Sequence, residues 1–485
     1  MLTDLSFLER GQKWPPPSES ARLKTYEENR RLFEGEHSEV YREQMRRIER
    51  VVGNFSSVVS FPVIFNYQRL MSLKIADLIF GESPSITVAD TSAAGSAKQQ
   101  TINKILLDTE LLNLAYTAAI DVSRYGDGLL IPSLRDGKPK LTISAPRIWF
   151  PVVDKTDIQC ITYHVMAHHY TQGKGTSPEH FLWVQIHNVD APGTCEEHTY
   201  RLRGGSDSFT IGEEIAAQGG ITDADTGFVE CPVFRVSNVR TSDRIFGFDD
   251  YSTIDSIISE LIVRVSQVCR ILDKHAAPSM SGPASALERD PITDEWRLRT
   301  GDYFTRENSD DPETKYIVWD AQLDANFKAI ETLVNHLYAI SEMGAALLGG
   351  TANNTGQVPS GSALRRLMVQ PLAKSARIAG RFDPAIKKIL SLLASALNVD
   401  IPPEEISITW NDGLPDDPME EATIMSIRTG ARPTISQWSA MKRLDRLSDE
   451  DADSELEQLQ AEQSATAPIT LGVIDNHDAE GEDDA

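Results

Sequence analysis

Cysteine is scarce and scattered in this sequence. Its 485 residues include four cysteines, at Cys160, Cys195, Cys231 and Cys269, and no two of them form a CxxC pair. A disulfide framework and a cysteine-based zinc site both depend on paired or closely spaced cysteines. The spacing therefore argues against both, and we expect four reduced thiols.

Long apolar runs are also missing. No uncharged stretch approaches the roughly 20 residues that a membrane-spanning helix requires. The longest apolar run, from Ile254 to Leu272, is interrupted by four charged residues. Residues 1–30 do not follow the pattern of a signal peptide. We expect a protein that is made in the cytoplasm and has no membrane partner.

Positive charge is the third scarcity. The chain carries 47 Lys and Arg against 72 Asp and Glu, a formal net charge of −25, and 13 of the acids lie between Asp449 and the end, where there is no Lys or Arg. A protein that grips DNA phosphates needs clustered basic side chains to replace the released counterions. Tight DNA binding is therefore not expected, although an acidic or neutral wall would let DNA slide past.

The first half of the chain has a mixed pattern. Residues 1–125 are dominated by helix-like stretches, and the helix from about Asn66 to Phe80 ends at Gly81. From Gly126 to about Val239, short apolar runs are bounded by Gly, Pro and Asp, which is typical of strands. The length favours two to four compact regions, and the pattern predicts the α+β class.

Two long helices follow, from about Asp249 to just before Pro278 and from about Asp324 to Leu347. Apolar residues recur in both at the three- and four-residue spacing of one helix face. The packing residues are Ile254, Ile258, Leu261, Val265, Phe327 and Val334. The pattern predicts an antiparallel hairpin with a small Pro-, Gly- and Asp-rich tip. Copies packed around an axis would bury the surface that one chain leaves exposed.

The remainder alternates loop and helix. An uncharged polar segment, 349–359, precedes a long helix that we expect to run from an N-cap at Ser360 to about Leu397, with kinks at Pro371 and near Pro384. A strand at Ile406–Trp410 and three short helices come next. The helices are predicted to run from Pro418 to Thr429, from Thr434, and from Ser448. A disordered acidic tail follows Ser464.

Two features imitate chemical sites. Six histidines lie in the β-rich region, at His164, His168, His169, His180, His187 and His198. Several imidazoles in one region can supply a metal site, yet their spacing matches no metal motif. The segment 356–362 imitates a phosphate-binding loop but has Ser362 where the loop requires lysine. We therefore expect no enzyme, no metal and no cofactor.

Four ordered stretches carry a family likeness. They run from Asn66 to Pro84, from Tyr125 to Val152, from Pro359 to Arg365 and from Ile408 to Asp417, the last continued by Thr434–Ser436 and Glu455–Glu457. The second combines a glycine turn, a strand pair and a proline step. Together they span about residues 55–460 and resemble the portal proteins of tailed bacteriophages, of the Bacillus-phage-type group.

The resemblance implies a portal fold with an α/β wing, a long antiparallel helical stem, a small α/β clip, a kinked long helix and a helical crown. Its parts would be the wing 1–245, stem helices 246–276 and 321–346, the clip 277–320, the tunnel loop 347–360, the returning helix and strand 361–412, the crown 413–464 and the tail 465–485.

The resemblance also implies a function. Portals form dodecameric rings at the unique capsid vertex of the virion, sometimes 13-fold when made alone, and conduct double-stranded DNA without sequence preference. The implied partners are the terminase large subunit, the head-completion adaptor, and the major capsid and scaffolding proteins. Tunnel-loop residues facing DNA would be Asn353, Asn354, Thr355 and Gln357, and clip residues that dock partners would be Glu288, Asp290, Arg297 and Arg299.

Two other classes of function stay open at this point. One is a metal-dependent hydrolase built on the histidine-bearing region, which bound zinc or manganese in purified protein would support. The other is a helical adaptor or scaffold with no DNA role. Stoichiometry separates the adaptor from the portal, because an adaptor need not close into a ring.

Overall fold

The structure is a computed structural model of the chain. It describes residues 1–50, 62–89, 93–173, 178–205, 208–215, 223–276, 280–281, 287–289, 294, 296–298, 315–316, 323–348, 365–411, 418–430, 432–445, 447 and 449–466. The chain divides into two compact units. One comprises Met1–Gly356 with Arg366–Gly413, and the other Gln357–Arg365 with Leu414–Ala485. The predicted α+β class is confirmed.

The N-terminal part is mainly helical. Its elements are β1 (Lys13–Trp14), α1 (Ser20–Glu34), α2 (His37–Val40), α3 (Arg42–Arg50), α4 (Tyr67–Ala76), β2 (Ser85–Val88), α5 (Ala93–Thr109) and α6 (Leu111–Tyr125). The side chain of Asn66 caps α4 by accepting a hydrogen bond from the backbone N–H of Arg69 at 2.9 Å. A π-helical turn, Asp77–Gly81, extends α4 to the glycine that the sequence marks as its end.

A small sheet follows α6. Strands β3 (Asp127–Arg135) and β4 (Lys138–Ser144) form a hairpin, because Asp136 and Gly137 both take the positive φ that a tight two-residue turn requires. The strands β5 (Trp149–Val153), β6 (Ile161–Gln172), β7 (Glu179–Asn188), β8 (Thr194–Gly205), β9 (Ser208–Glu214), β10 (Asp223–Asp225) and β11 (Phe234–Ser237) come next. Strand β11 pairs with β3 on the side opposite β4.

The other strands of this region build a seven-stranded antiparallel sheet. Its order is β1-β9-β8-β7-β6-β5, with β10 added beside β8. Successive side chains of a strand point to opposite faces, and both faces of this sheet carry buried apolar residues. One face includes Phe150, Val165 and Leu182, and the other includes Trp149 and Met166. The predicted strand-rich region is confirmed.

The two long helices are present, with different bounds. Helix α7 spans Asp255–Ala276, and α8 spans Leu323–Ile340. Between them, β12 (Met280–Ser281) pairs with β15 (Lys315–Tyr316), and β13 (Leu287–Arg289) pairs with β14 (Trp296–Leu298). The prediction that the second helix continues to Leu347 is wrong, because Glu342 adopts a left-handed φ of 59°. A separate turn of helix, α9 (Gly344–Leu347), follows.

The long helix α10 covers Val369–Ala396 and contains Pro384 in its interior. The helical run is interrupted at Met368. The ring of Pro371 clashes with the carbonyl of Leu367, four residues earlier, so a regular helix cannot continue through this turn. The predicted N-cap at Ser360 lies outside the described residues. Strand β16 (Ile406–Thr409) confirms the predicted strand and pairs with β2.

In its described part, the second unit contains the helices α11 (Pro418–Thr429), α12 (Gln437–Leu444) and α13 (Asp449–Thr466). The first has its predicted bounds. The second does not begin at Thr434, because the Ser436 side chain caps it by accepting a hydrogen bond from Ser439 N. The third runs to Thr466, two residues into the predicted tail, and residues 467–485 lie outside the described part.

Candidate functional site

The two long helices pack against each other and share the main hydrophobic core. On α7 and just before it, Ile254, Ile258 and Leu261 are buried, and Val265 is half-buried. On α8, Val334 is partly buried against the same core, whereas Phe327 is 50% exposed in the single chain. The helix pair therefore has one face in the core and another that one chain leaves open.

A polar network anchors the first turn of α7. The Tyr41 hydroxyl donates to Asp255 Oδ1 at 2.8 Å, and Gln68 Nε2 donates to the same oxygen at 3.0 Å. Gln68 Nε2 also lies 2.8 Å from the Tyr41 hydroxyl, and its Oε1 lies 3.0 Å from His37 Nε2. Burial raises the pKa of Asp255 to about 6, and the hydrogen bonds from Gln68 and Tyr41 oppose that rise.

Further contacts hold α7 along its length. Arg47 on α3 pairs with Glu260 at 2.6 Å, and Arg264 pairs with the same carboxylate at 2.8 Å. The Ser266 hydroxyl accepts a hydrogen bond from Val63 N at 2.9 Å. Arg270 donates from its guanidinium to the backbone carbonyl of Ile48 at 3.2 Å. Because α3 and the segment before α4 supply these partners, α7 is fixed to the helical N-terminal part of the chain.

The residues predicted to face DNA or dock partners are placed only in part. Asn353, Asn354, Thr355 and Gln357 lie outside the described residues, as do Asp290 and Arg299. Glu288 and Arg297 are opposite each other in the β13–β14 pair. Beside them, Arg289 forms an exposed ion pair with Asp294 at 2.9 Å. These roles stay predictions.

The six histidines of the strand region do not converge. His164 and His187 face each other across β6 and β7 and are both buried. The Trp149 indole donates to His164 Nδ1 at 3.2 Å. Burial lowers the pKa of His164 to about 3 and that of His187 to about 4. Both rings are therefore neutral parts of the sheet core at pH 7.

The other four histidines lie toward the surface of the sheet. His168 contacts Trp183, and His169 lies with its Nε2 3.4 Å from His180 Nδ1. His198 sits between the carboxylates of Glu214 and Glu196, at 2.7 and 3.5 Å. Within the described residues, no group of three or more His, Cys, Asp and Glu is arranged to hold a metal ion. The hydrolase hypothesis has no geometric support there.

Sequence reasoning missed the polar anchors of the two helices. Gln68 and Tyr41 carry no signal that links them to Asp255, because their contacts span 187 and 214 residues. For Lys374, by contrast, the sequence does contain a signal. It lies on the periodic apolar face of α10, between the buried residues Pro371 and Ile378. A lysine at such a position predicts a buried charge with a partner.

No helix in the described residues combines the length and the apolar character needed to cross a bilayer. What α7 and α8 bring together are packing and anchoring contacts. The family comparison defines the class of protein. The family model described as "Phage portal protein, SPP1 Gp6-like" matches residues 16–468.

The chain belongs to the SPP1 Gp6-like phage portal protein family, which confirms the resemblance stated from its sequence. Members are structural proteins of the virion that connect head and tail, and this protein is a component of the portal vertex.

Solved structures also resemble the chain. A chain of the "Neck of native GTA particle computed with C12 symmetry" is 12% identical, with 78% of this chain and 89% of that chain covered and a TM-score of 0.41. A chain of the "Virion of native gene transfer agent (GTA) particle" is 12% identical, with 90% and 96% covered and a TM-score of 0.43. None of the curated proteins matches.

Proposed function

We propose that twelve copies of this protein close into a ring at the unique capsid vertex, and that double-stranded DNA passes through the ring during packaging and ejection. The terminase large subunit would dock on the ring during packaging, and a head-completion adaptor would replace it. Contacts with the major capsid and scaffolding proteins would place the ring in the assembling head. Membership of the portal family is the observation that carries this proposal.

Exposed apolar side chains on the helix pair support the ring. Leu272 on α7 is 47% exposed, and Phe327 and Ile340 on α8 are 50% and 47% exposed. Removing apolar surface from water stabilises the assembly by about 25 cal/mol for each Å² of apolar surface that is buried. Side-by-side packing of neighbouring helix pairs would cover these three residues, and such heterologous contacts close when the rotation between copies divides a full turn.

Weak attraction for phosphates supports a conduit. The chain has a net charge of −25, and the segment 349–359 contains no charged side chain. A ring with this composition does not gain the counterion-release energy that holds a DNA-binding protein in place. Polar contacts from Asn353, Asn354, Thr355 and Gln357 would touch the passing duplex without fixing its position.

The clip is the proposed docking surface for terminase and adaptor. Its sequence alternates acids and bases, with Glu288, Asp290, Arg297 and Arg299 as the residues we assign to partner choice. Charged groups at the rim of an interface set specificity and the rate of association more than affinity. We expect charge reversal at Arg297 and Arg299 to slow terminase binding, and added salt to reduce the difference from wild type.

The mass of the purified protein tests the ring directly. We expect a particle near 640 kDa, which is about twelve times the 53.7 kDa of one chain, with a central hole in end-view electron micrographs. A stable monomer or dimer across a range of protein and salt concentrations would contradict the ring and favour an adaptor instead. Absence of bound zinc or manganese in the same sample would further weaken the hydrolase alternative.

A further inference from the structure

The ammonium group of Lys374 joins three separate segments of the chain. Lys374 lies in the second turn of α10 and is 3% exposed. Its Nζ is 2.9 Å from Asp250 Oδ1 and donates to the backbone carbonyl of Ser341 at 3.0 Å. Asp250 lies just before α7, and Ser341 follows the last residue of α8. One buried charge on α10 therefore contacts the segment that leads into α7 and the residue that follows α8.

The partners of Lys374 are themselves held in place. Asp250 Oδ1 also accepts a hydrogen bond from Asn238 Nδ2 at 2.9 Å, and Asp250 N donates to the carbonyl of Ser123 at 2.9 Å. On the other side, Glu342 lies 4.0 Å from Lys374 Nζ and pairs with Arg377 at 2.7 Å. The left-handed backbone at Glu342 ends α8 there. Each partner of the ammonium is thus tied to a further part of the chain, and Lys374 links these parts to one another.

A lysine at this position is costly to bury. Removing an ammonium and a carboxylate from water costs several kcal/mol for each ion, and their attraction offsets this only with good geometry. Apolar side chains of similar size often stabilise such a position as well or better. What the buried ammonium adds is a requirement for partners, because an unpaired donor left in the interior costs free energy. The buried charge at Lys374 therefore fits a geometric role.

We propose that Lys374 is a positioning residue that fixes the angle at which the two stem helices meet the long helix α10, and that DNA passage through the ring requires this angle. The inference rests on the proposed ring and conduit. It assigns no contact with DNA to Lys374, whose effect would act through Asp250 and Ser341. The alternative role for Lys374 is a stability contribution that leaves the geometry of the stem unchanged.

The test uses Lys374→Met, which retains an unbranched side chain, one atom shorter, and removes its charge. Lys388→Met is the matched control, because it makes the same change at an exposed position of the same helix. Hydrogen exchange is measured on assembled rings. We expect K374M to exchange at least tenfold faster than wild type in residues 249–258 and 341–348. Sheet residues 163–170 should not change, and K388M should match wild type throughout.

The functional readout is the amount of DNA packaged into heads that carry each variant portal. We expect K374M rings to package at least tenfold less DNA than wild type and K388M rings to package normally. Unchanged exchange in both segments would overturn the proposal. Faster exchange with normal packaging would also overturn it, because the angle would then not matter for DNA passage.

A second variant covers the case in which K374M does not assemble. Asp250→Asn retains the shape of the side chain and removes only its charge, so it weakens the same junction from the other side. D250N rings are expected to show faster exchange in 341–348, and exchange at the wild-type rate there would overturn the proposal. If wild-type protein itself formed no ring, the proposed function would fail. Exchange in the unassembled chain would still decide whether Lys374 joins the three segments.

Discussion

The hydroxyl of Tyr41 donates a 2.8 Å hydrogen bond to the carboxylate of Asp255, a residue 214 positions further along the chain. Tyr41 precedes α3, and Asp255 is the first residue of α7. Because Gln68 on α4 donates to the same carboxylate oxygen, three helical regions meet at a single acceptor. This contact fixes the start of α7 to the N-terminal helices and makes that point sensitive to pH.

The substitution Asp255→Asn tests the pH dependence of this anchor. Burial raises the pKa of Asp255 to about 6 in the folded protein, above its unfolded value of about 3.9. The protonated acid is therefore favoured by folding, and this contribution to stability is lost as pH rises from about 4 through about 6. Asparagine cannot ionise. Across this window we expect wild type to lose about 1–3 kcal/mol relative to D255N in the free energy of unfolding.

Urea unfolding of both proteins at pH 4.5 and pH 7.5 measures this difference. Asp108→Asn provides the control, since that carboxylate lies at an exposed position of α5 and has no place in the network. Parallel stability curves for wild type and D255N would contradict the prediction, because they would mean that Asp255 ionises in the folded state as readily as in the unfolded state.

Ile258→Ala and Phe327→Ala separate the two faces of the helix pair. Ile258 is fully buried, so its truncation removes core contacts and leaves a cavity, and we expect a loss of about 2–5 kcal/mol in the free energy of unfolding. Phe327 is half exposed in the single chain. Its truncation is expected to leave the stability of the chain within about 0.5 kcal/mol and to shift the ring toward smaller species on dilution.

Native mass spectrometry at falling protein concentration distinguishes these outcomes. I258A should dissociate only where it also unfolds, whereas F327A should dissociate while its far-ultraviolet circular dichroism stays native. If F327A rings were as resistant to dilution as wild-type rings, the side chain would not lie between subunits. The ring itself could then still form through other surfaces.

The periodic apolar residues account for what could be predicted of the helix pair α7 and α8. Ile254, Ile258 and Leu261 recur at helical spacing, and the structure buries all three. Spacing reports which face of a helix is buried. It does not report what covers that face, so the partners Tyr41 and Gln68 could not be found, because they come from distant parts of the chain.

The predicted end of α8 and the predicted start of α12 were wrong because local backbone conformation sets both. Nothing in the sequence marks the end of α8 at Ile340, since the left-handed residue that ends it is Glu342 instead of a glycine or asparagine. Both Thr434 and Ser436 are able to cap α12, and the choice of Ser436 depends on backbone angles that the residue types do not reveal. The family likeness depended on residue order instead, and it was therefore insensitive to these details.

The substitution His164→Gln tests the acid sensitivity of the large sheet. Burial lowers the pKa of His164 to about 3 in the folded protein. In the unfolded chain the same imidazole has a pKa of about 6.5. Stability from the neutral ring is present above pH 6.5 and is lost as pH falls. Glutamine retains an acceptor for the Trp149 indole and does not titrate. Between pH 7 and pH 5 we expect wild type to lose about 1–2 kcal/mol more than H164Q.

Chemical unfolding followed by circular dichroism at the two pH values provides the measurement for His164. His336→Gln is the control, because that imidazole is exposed on α8 and its removal should not alter the pH dependence. An equal loss of stability in wild type and H164Q would show that the folded sheet accepts a proton on His164, in conflict with its burial beside Trp149.

Gly126 and Gly247 lie so close that neither position has room for a side chain. A Cβ atom on Gly126 would meet the Gly247 carbonyl oxygen at 2.3 Å, and one on Gly247 would meet the Gly126 carbonyl oxygen at 2.1 Å. The crossing is further fixed by Asp127, whose buried carboxylate accepts hydrogen bonds from Ser237 Oγ at 2.6 Å and Gly247 N at 2.9 Å. The Asp127 carboxylate therefore joins the start of β3 to the segment that leads into α7.

Gly126→Ala should therefore be among the most damaging single substitutions in the chain. Gly126 has a φ of 85°, so alanine adds backbone strain to the steric clash, and we expect a loss of about 4 kcal/mol or more. Gly137→Ala is the matched control. Gly137 also has a positive φ, of 72°, but nothing lies within 4 Å of the added Cβ, so strain alone should cost about 1–2 kcal/mol. Thermal unfolding of both variants gives the comparison, and similar losses would mean that the backbone at Gly247 moves aside without cost.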